Sequence, residues 1–193
     1  MVASMDTISP EYLAEQQRLH ENPNYGIASL AFAPTVAALI RDNNVRSVTD
    51  YGAGKKRLQE GLAKAGVEVD YYPYDPAFPE YGEPRVGSDM VACIDVLEHI
   101  EPDRIEAVLQ DLWRLKGIMY FVTVHMGPAG KTLSDGRNAH LTQQPPSWWL
   151  PRLCRYFEVH HVQRHNLMGQ GFWCVLTANA RAESSPRNAL PAL

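Results

Sequence analysis

Apolar positions recur at spacings of three and four in some stretches and gather into short continuous runs in others, and the two patterns alternate along most of the chain. Residues 10–22 are rich in Glu, Gln, Leu and Arg and predict a helix, after which Asn22-Pro23-Asn24-Tyr25-Gly26 predicts a turn. Val36, Leu39 and Ile40 then share one face, and Pro34 suits a first helical turn, which predicts a helix over 34–42. From residue 45 onward, strands are predicted over 45–49, 67–72, 90–94, 118–124, 158–163 and 172–177, and helices over 57–65, 102–115 and 147–155. The clearest helix is the one after the third strand, where Ile105, Val108, Leu109 and Leu112 make an apolar stripe while Glu106, Gln110 and Asp111 face away. Such alternation predicts an α/β fold of parallel strands joined by crossover helices on both faces. Residues 125–145 carry Gly, Pro, Asn and Asp throughout and predict a long connection of the kind that serves as a lid or binding loop.

Length bounds this picture to one domain: 193 residues, 45% of them hydrophobic, bury one substantial core. Residues 1–44 are expected as a helical extension packed on the core, 45–180 as the core domain, and 181–193, which have no period, as a disordered tail. The net charge of −4 comes from mixed acids and bases, and no basic stripe favours a nucleic-acid partner. No apolar run approaches the roughly 18 residues of a membrane span, and the first ten residues lack the pattern of a signal peptide, so a cytoplasmic protein without a membrane partner is expected. Cys93, Cys154 and Cys174 stand far apart, which points to reduced thiols rather than a disulfide framework or a zinc site.

The first candidate for chemistry is Val48-Thr49-Asp50-Tyr51-Gly52-Ala53-Gly54-Lys55, a strand ending in an acid and a glycine pair before a helix. The glycines permit a tight turn and close approach of a ligand to free N–H groups, although a plain turn joining strand to helix fits equally well. A phosphate-binding P-loop would need glycine where Thr49 stands and Ser or Thr where Lys56 stands. The dinucleotide fingerprint would need glycine at Arg57. Spacing supports a third possibility: Asp75 lies 21 residues beyond Gly54, just past the second strand, where a carboxylate can accept both hydroxyls of a ribose. Asp70 is its rival, placed inside the strand rather than at its end.

A second apolar strand, from Asp89, runs into Ile94-Asp95-Val96-Leu97-Glu98-His99-Ile100 and then into the amphipathic helix. With Val96-Leu97-Glu98-His99-Ile100 matching a V-L-E-H-[VI] signature and Asp50-Tyr51-Gly52-Ala53-Gly54 matching acid-x-Gly-x-Gly, residues 45–177 resemble the class I S-adenosylmethionine-dependent methyltransferases, especially those acting on small molecules. Asn138 to Leu141 and Pro145 to Trp149 are similar to segments of small bacterial and phage members. The resemblance implies a Rossmann-like methyltransferase sheet, mostly parallel with an antiparallel last strand and helices on both faces. It implies S-adenosylmethionine as cofactor, S-adenosylhomocysteine as product, and a small-molecule acceptor methylated at O or N. The methionine end would lie along Asp50, Gly52 and Gly54, the ribose on Asp75, and the adenine and sulfonium near Cys93 and Ile94. Methyl transfer is an in-line displacement at an activated carbon, so the protein supplies chiefly proximity and orientation.

Two departures stand out. Lys56 occupies the position of the family's third small residue, where a long cation could crowd the methionine end or pair with its carboxylate. Only thirteen residues separate Asp75 from Asp89, which shortens the third-strand region and removes the usual acidic contact to adenine. These departures motivate one alternative, a binding or regulatory protein on a degenerate methyltransferase scaffold; a further alternative keeps the cofactor but transfers a different group from it. The candidate bases are His125, directly after the strand predicted over 118–124, and His140 in the long loop. Glu98 and His99 are expected to shape the pocket at a helix start. No metal site is expected, because His160 and His161 point to opposite faces of a strand. Trp148, Trp149 and Trp173 could wall a pocket or fill the core, and Tyr25 could cover the cofactor.

Overall fold

A computed structural model describes residues 7–180; the tail expected over 181–193 lies outside the described residues. Six strands form one sheet in the order β2-β1-β3-β4-β6-β5, with β1 Ser47–Tyr51, β2 Asp70–Tyr74, β3 Met90–Cys93, β4 Met119–His125, β5 Phe157–His165 and β6 Gly171–Ala178. The first four run parallel, β6 is antiparallel to β4, and β5 is antiparallel to β6. The helices are α1 Pro10–His20, α2 Ala28–Asp42, α3 Arg57–Lys64, α4 Ile105–Arg114 and α5 Pro146–Leu153. Only a short 3-10 turn, Pro79–Tyr81, lies between β2 and β3. β2 therefore forms the edge of the sheet, where Pro73 costs no ladder hydrogen bond on the solvent side.

Two apolar layers flank the sheet. α2 and α3 cover one face, where Phe32, Val36, Ala37 and Ile40 meet Leu58, Leu62, Val48, Met90, Ala92 and Phe121. α4 and α5 cover the other, where Ile105, Val108, Leu109, Leu112, Trp149 and Leu153 meet Val91, Cys93, Tyr120 and Val122. The alternation of Met90, Val91, Ala92 and Cys93 between the two layers is the pleat of a fully buried strand.

Boundaries differ from expectation in informative ways. α2 begins at Ala28, and exposed Pro34 sits inside it rather than in its first turn. The apolar face of Phe32, Ala33, Val36, Ala37 and Ile40 extends back to Ala28, so burial outweighs the backbone bond that proline removes. β1 runs two residues further than predicted, which puts Asp50 and Tyr51 inside the strand, and β2 begins at Asp70.

α1 lies across the carboxyl edge of the sheet. Ser9 caps it by accepting from the Tyr12 amide, and the Ser9 hydroxyl donates to Glu101 at 2.6 Å, tying the helix to the segment before α4. Tyr12 and Leu19 pack on Leu133 and Ala139 of the long loop, and the Ser134 amide and hydroxyl both donate to Glu15.

Candidate functional site

The carboxyl ends of β1, β2 and β3 diverge beneath α1 and leave a cleft of about 880 Å³, a figure that includes its open mouth. Its wall is Gly52, Ala53 and Gly54 after β1, Asp75 after β2, and Ile94, Asp95, Val96 and His99 after β3. Tyr12, Gln16, His20 and Tyr25 roof it. Because β1 connects outward to β2 on one side and neighbours β3 on the other, the cleft sits at the switch point of the sheet, the usual ligand position in open α/β folds.

Gly52 and Gly54 have φ of +78° and +47°, in the left-handed region, and a Cβ on Gly52 would lie 2.4 Å from Val96 Cγ2. Only glycine satisfies both conditions. Asp75 closes this turn: one carboxylate oxygen accepts from the Gly54 amide at 2.9 Å, the other from the Ala77 amide at 2.8 Å. Burial raises the Asp75 carboxyl above its ordinary range, and those two amides partly oppose the shift. Each oxygen retains a second lone pair for a ligand. Asp70, the alternative acid, is exposed at the opposite end of β2, away from the cleft.

Asp50 stands behind the turn rather than on the cleft surface. It is 3% exposed, accepts the Tyr71 hydroxyl, and is pushed up to about 7 chiefly by burial. Ile94 lines the cleft, whereas Cys93 turns its fully buried thiol into the α4 layer, because adjacent strand residues face opposite ways. Any contact Cys93 makes with a ligand is therefore through its backbone.

Lys56 points clear of the cleft, with its ammonium 5.1 Å from the Tyr81 ring centre. It does, however, adopt φ +58°, the left-handed conformation that favours a small residue there. Lys56→Gly should therefore stabilise the fold by about 1 kcal/mol, read as a higher urea midpoint with unchanged slope. Its neighbour Lys55 donates to the carbonyls of Asn22 and Tyr25 at 2.8 and 3.1 Å and pins the α1–α2 turn over the glycine loop.

The roof is polar on its inner side. Gln16 donates to the Tyr12 hydroxyl and accepts from the Tyr25 hydroxyl at 2.6 and 3.0 Å. His20 packs edge-on to Tyr25 and Phe78 with a buried Nδ1 that has no hydrogen-bond partner among the described residues, and burial pulls the ring down to about 4.

Neither candidate base reaches the cleft surface. His125 donates Nε2–H to the Met168 carbonyl and accepts the Gly127 amide on Nδ1, so both ring nitrogens are engaged by backbone. His140 is 6% exposed and lies edge-on to His99 with ring centres 4.6 Å apart; burial and neighbouring His99 lower it to about 4. His99, expected only as part of a helix start, lines the wall of the cleft, as His20 lines its roof. Beneath it, burial drives the fully buried Glu98 well above its ordinary range, with adjacent Asp95 adding to the effect. Asp95 is held below its range by His99 and His140 against the pull of burial.

Of the three tryptophans only Trp149 takes the core alternative outright, the other two being half-buried against the core, and none lines the cleft. Trp149 is fully buried among the α4 and α5 side chains, Trp148 stacks under the Arg152 guanidinium at 3.5 Å, and Trp173 packs between Phe121 and His161. Among the described residues no helix is long and apolar enough to cross a membrane.

No protein-family model and no curated protein matches the sequence. Solved structures do. A Burkholderia thailandensis 1,6-didemethyltoxoflavin-N1-methyltransferase, crystallised with 1,6-didemethyltoxoflavin and S-adenosylhomocysteine, superposes with a TM-score of 0.59 at 17% identity, over 89% of this chain and 91% of that one. The magnesium protoporphyrin IX methyltransferase of Synechocystis PCC 6803, with bound S-adenosylhomocysteine, gives 0.57 at 16% identity, over 91% and 97%. The mitomycin 7-O-methyltransferase MmcR gives 0.60 at 14% identity, over 85% and 60%. Over those lengths the superpositions show the fold: the chain has the Rossmann-like fold of the class I S-adenosylmethionine-dependent methyltransferases.

Proposed function

We propose that the protein transfers the methyl group of S-adenosylmethionine to the oxygen or nitrogen of a small-molecule acceptor. The observation that carries this reading is Asp75: a half-buried carboxylate just past the end of β2, bonded to the Gly54 amide of the glycine turn, on the wall of a cleft at the sheet's switch point. A ribose in that cleft would meet the free lone pairs of Asp75, and the methionine end would follow the Gly52–Gly54 turn. Asp50 would act from behind by fixing that turn. The neighbours named above act on small molecules, and two of them were crystallised with S-adenosylhomocysteine, which supports the same reading here.

Bound there, the cofactor would supply the activated methyl carbon; the chain's own residues would bind, orient and exclude water. Tyr12, Gln16 and Tyr25 would cover the site, and the open mouth would admit the acceptor. A degenerate scaffold is the second reading, favoured by one observation: the His20 ring lies against Gly54, where an added Cβ would be only 2.9 Å from it. Calorimetric titration with S-adenosylhomocysteine separates the two. Saturable binding at micromolar concentration is expected, and absence of binding at millimolar ligand would overturn the methyltransferase reading.

A further inference from the structure

The sequence offered no metal-ligand spacing, yet the fold gathers Asp95, His99 and His140 from two separate segments, with one ligand atom of each within 4.8 Å of the others. We infer that these three side chains form a binding site for a divalent transition-metal ion on the wall of the cleft. The inference stands whether or not the cleft takes S-adenosylmethionine.

The hydrogen bonds around the two imidazoles support it. His99 Nδ1 lies 2.9 Å from the Ala139 carbonyl, and His140 Nδ1 lies 2.7 Å from the Gly127 carbonyl. A carbonyl oxygen can only accept, so both rings carry their proton on Nδ1. That leaves the Nε2 lone pair of each ring free for an ion, the arrangement in which backbone carbonyls orient metal-binding histidines. His99 Nε2 stands 4.0 Å from Asp95 Oδ2, too far for a hydrogen bond between them. An ion with bonds of about 2.1 Å holds neighbouring ligands about 3.0–3.4 Å apart, so small side-chain rotations would close the shell.

Three further features place the cluster outside ordinary packing. Asp95 has φ +60°, an uncommon conformation for an aspartate, and its backbone N–H donates to the buried Thr123 hydroxyl at 2.9 Å, which holds it in place. Glu98 is fully buried, its Oε1 accepts from the His125 amide, and its Oε2 has no hydrogen-bond partner among the described residues. Finally, Asp95 and His99 both line the cleft, so an ion held by three protein ligands would turn its open positions toward it. Two imidazoles and a carboxylate suit zinc, cobalt, iron or manganese better than magnesium or calcium, which prefer all-oxygen shells.

The test uses the full chain, stripped with a chelator and titrated separately with Zn²⁺ and Co²⁺ by calorimetry, with the cobalt absorption bands recorded in parallel. One ion per chain should bind at micromolar concentration or tighter, with visible bands typical of nitrogen and oxygen ligation and a raised thermal midpoint. Asp95→Asn and His140→Gln should each weaken binding at least about tenfold. Cys154→Ser and His160→Gln, which change exposed side chains elsewhere, should leave it intact. The metal-free thermal midpoint of each variant shows that it is folded, and Asp95→Asn preserves the local volume should His140→Gln lower that midpoint. Lack of saturable binding to the native chain, or binding that survives both ligand substitutions, overturns the site.

Discussion

Asp75→Ala is expected to weaken S-adenosylhomocysteine binding about 10- to 100-fold, the loss that follows when about 1.5–3 kcal/mol of charge-assisted hydrogen bonding to a ligand is removed. The effect has two parts, because Asp75 would meet the ligand and also holds the Gly54 and Ala77 amides. Asp75→Asn separates them: its amide oxygen still accepts from one backbone N–H, so the turn is better preserved than in the alanine variant, while the charge is gone. Calorimetric affinity measured beside the thermal midpoint reads both parts. Unchanged affinity in a folded Asp75→Ala variant would remove Asp75 from the site and with it the main support for the proposed cofactor geometry.

Asp50→Asn is expected to stabilise the ligand-free protein at pH 8 by about 2–4 kcal/mol. Burial lifts the folded-state carboxyl of Asp50 from 3.8 to about 7. Each unit of such a shift corresponds to about 1.4 kcal/mol of preference for the neutral form. The sign follows from linkage. Below about pH 3 the carboxyl is protonated in both folded and unfolded chains and costs nothing; as pH rises to about 7 the unfolded chain releases its proton first, and the contribution is progressively lost. Asparagine keeps an acceptor for the Tyr71 hydroxyl without the charge. Urea unfolding of both proteins should therefore show a gap that is wide at pH 8 and narrows toward pH 4.5. A gap independent of pH, or a variant less stable at pH 8, would contradict it. Buried Glu98 is shifted in the same direction and adds to the decline of native stability with rising pH.

Much of the fold is legible in the residues. Ile105, Val108, Leu109 and Leu112 announce α4 by period alone, and the uninterrupted run Met90 to Cys93 announces a strand buried on both faces. The short interval between Asp75 and Asp89 foretells that no further strand lies beyond β2. Less legible are the ends of elements. The sequence pattern could not show that α2 would carry Pro34 in its interior, because the cost of one lost backbone bond is set against contacts with Leu58, Leu62 and Phe121 that come from elsewhere in the chain.

The site divides along the same line. Glycine positions, the acid at residue 75 and its preference over Asp70 follow from local geometry and spacing, which the order of residues determines: a left-handed turn needs glycine, and a strand's length decides which acid stands at its end. Long-range packing decided the rest. It alone sends Cys93 inward, lifts Lys56 away from the cleft, occupies both nitrogens of His125 with backbone, and carries His140 from a distant loop to the side of His99 and Asp95. The physical reason is that a side chain's direction and protonation depend on which groups surround it, and residues far apart in sequence become neighbours only once the chain closes around its core.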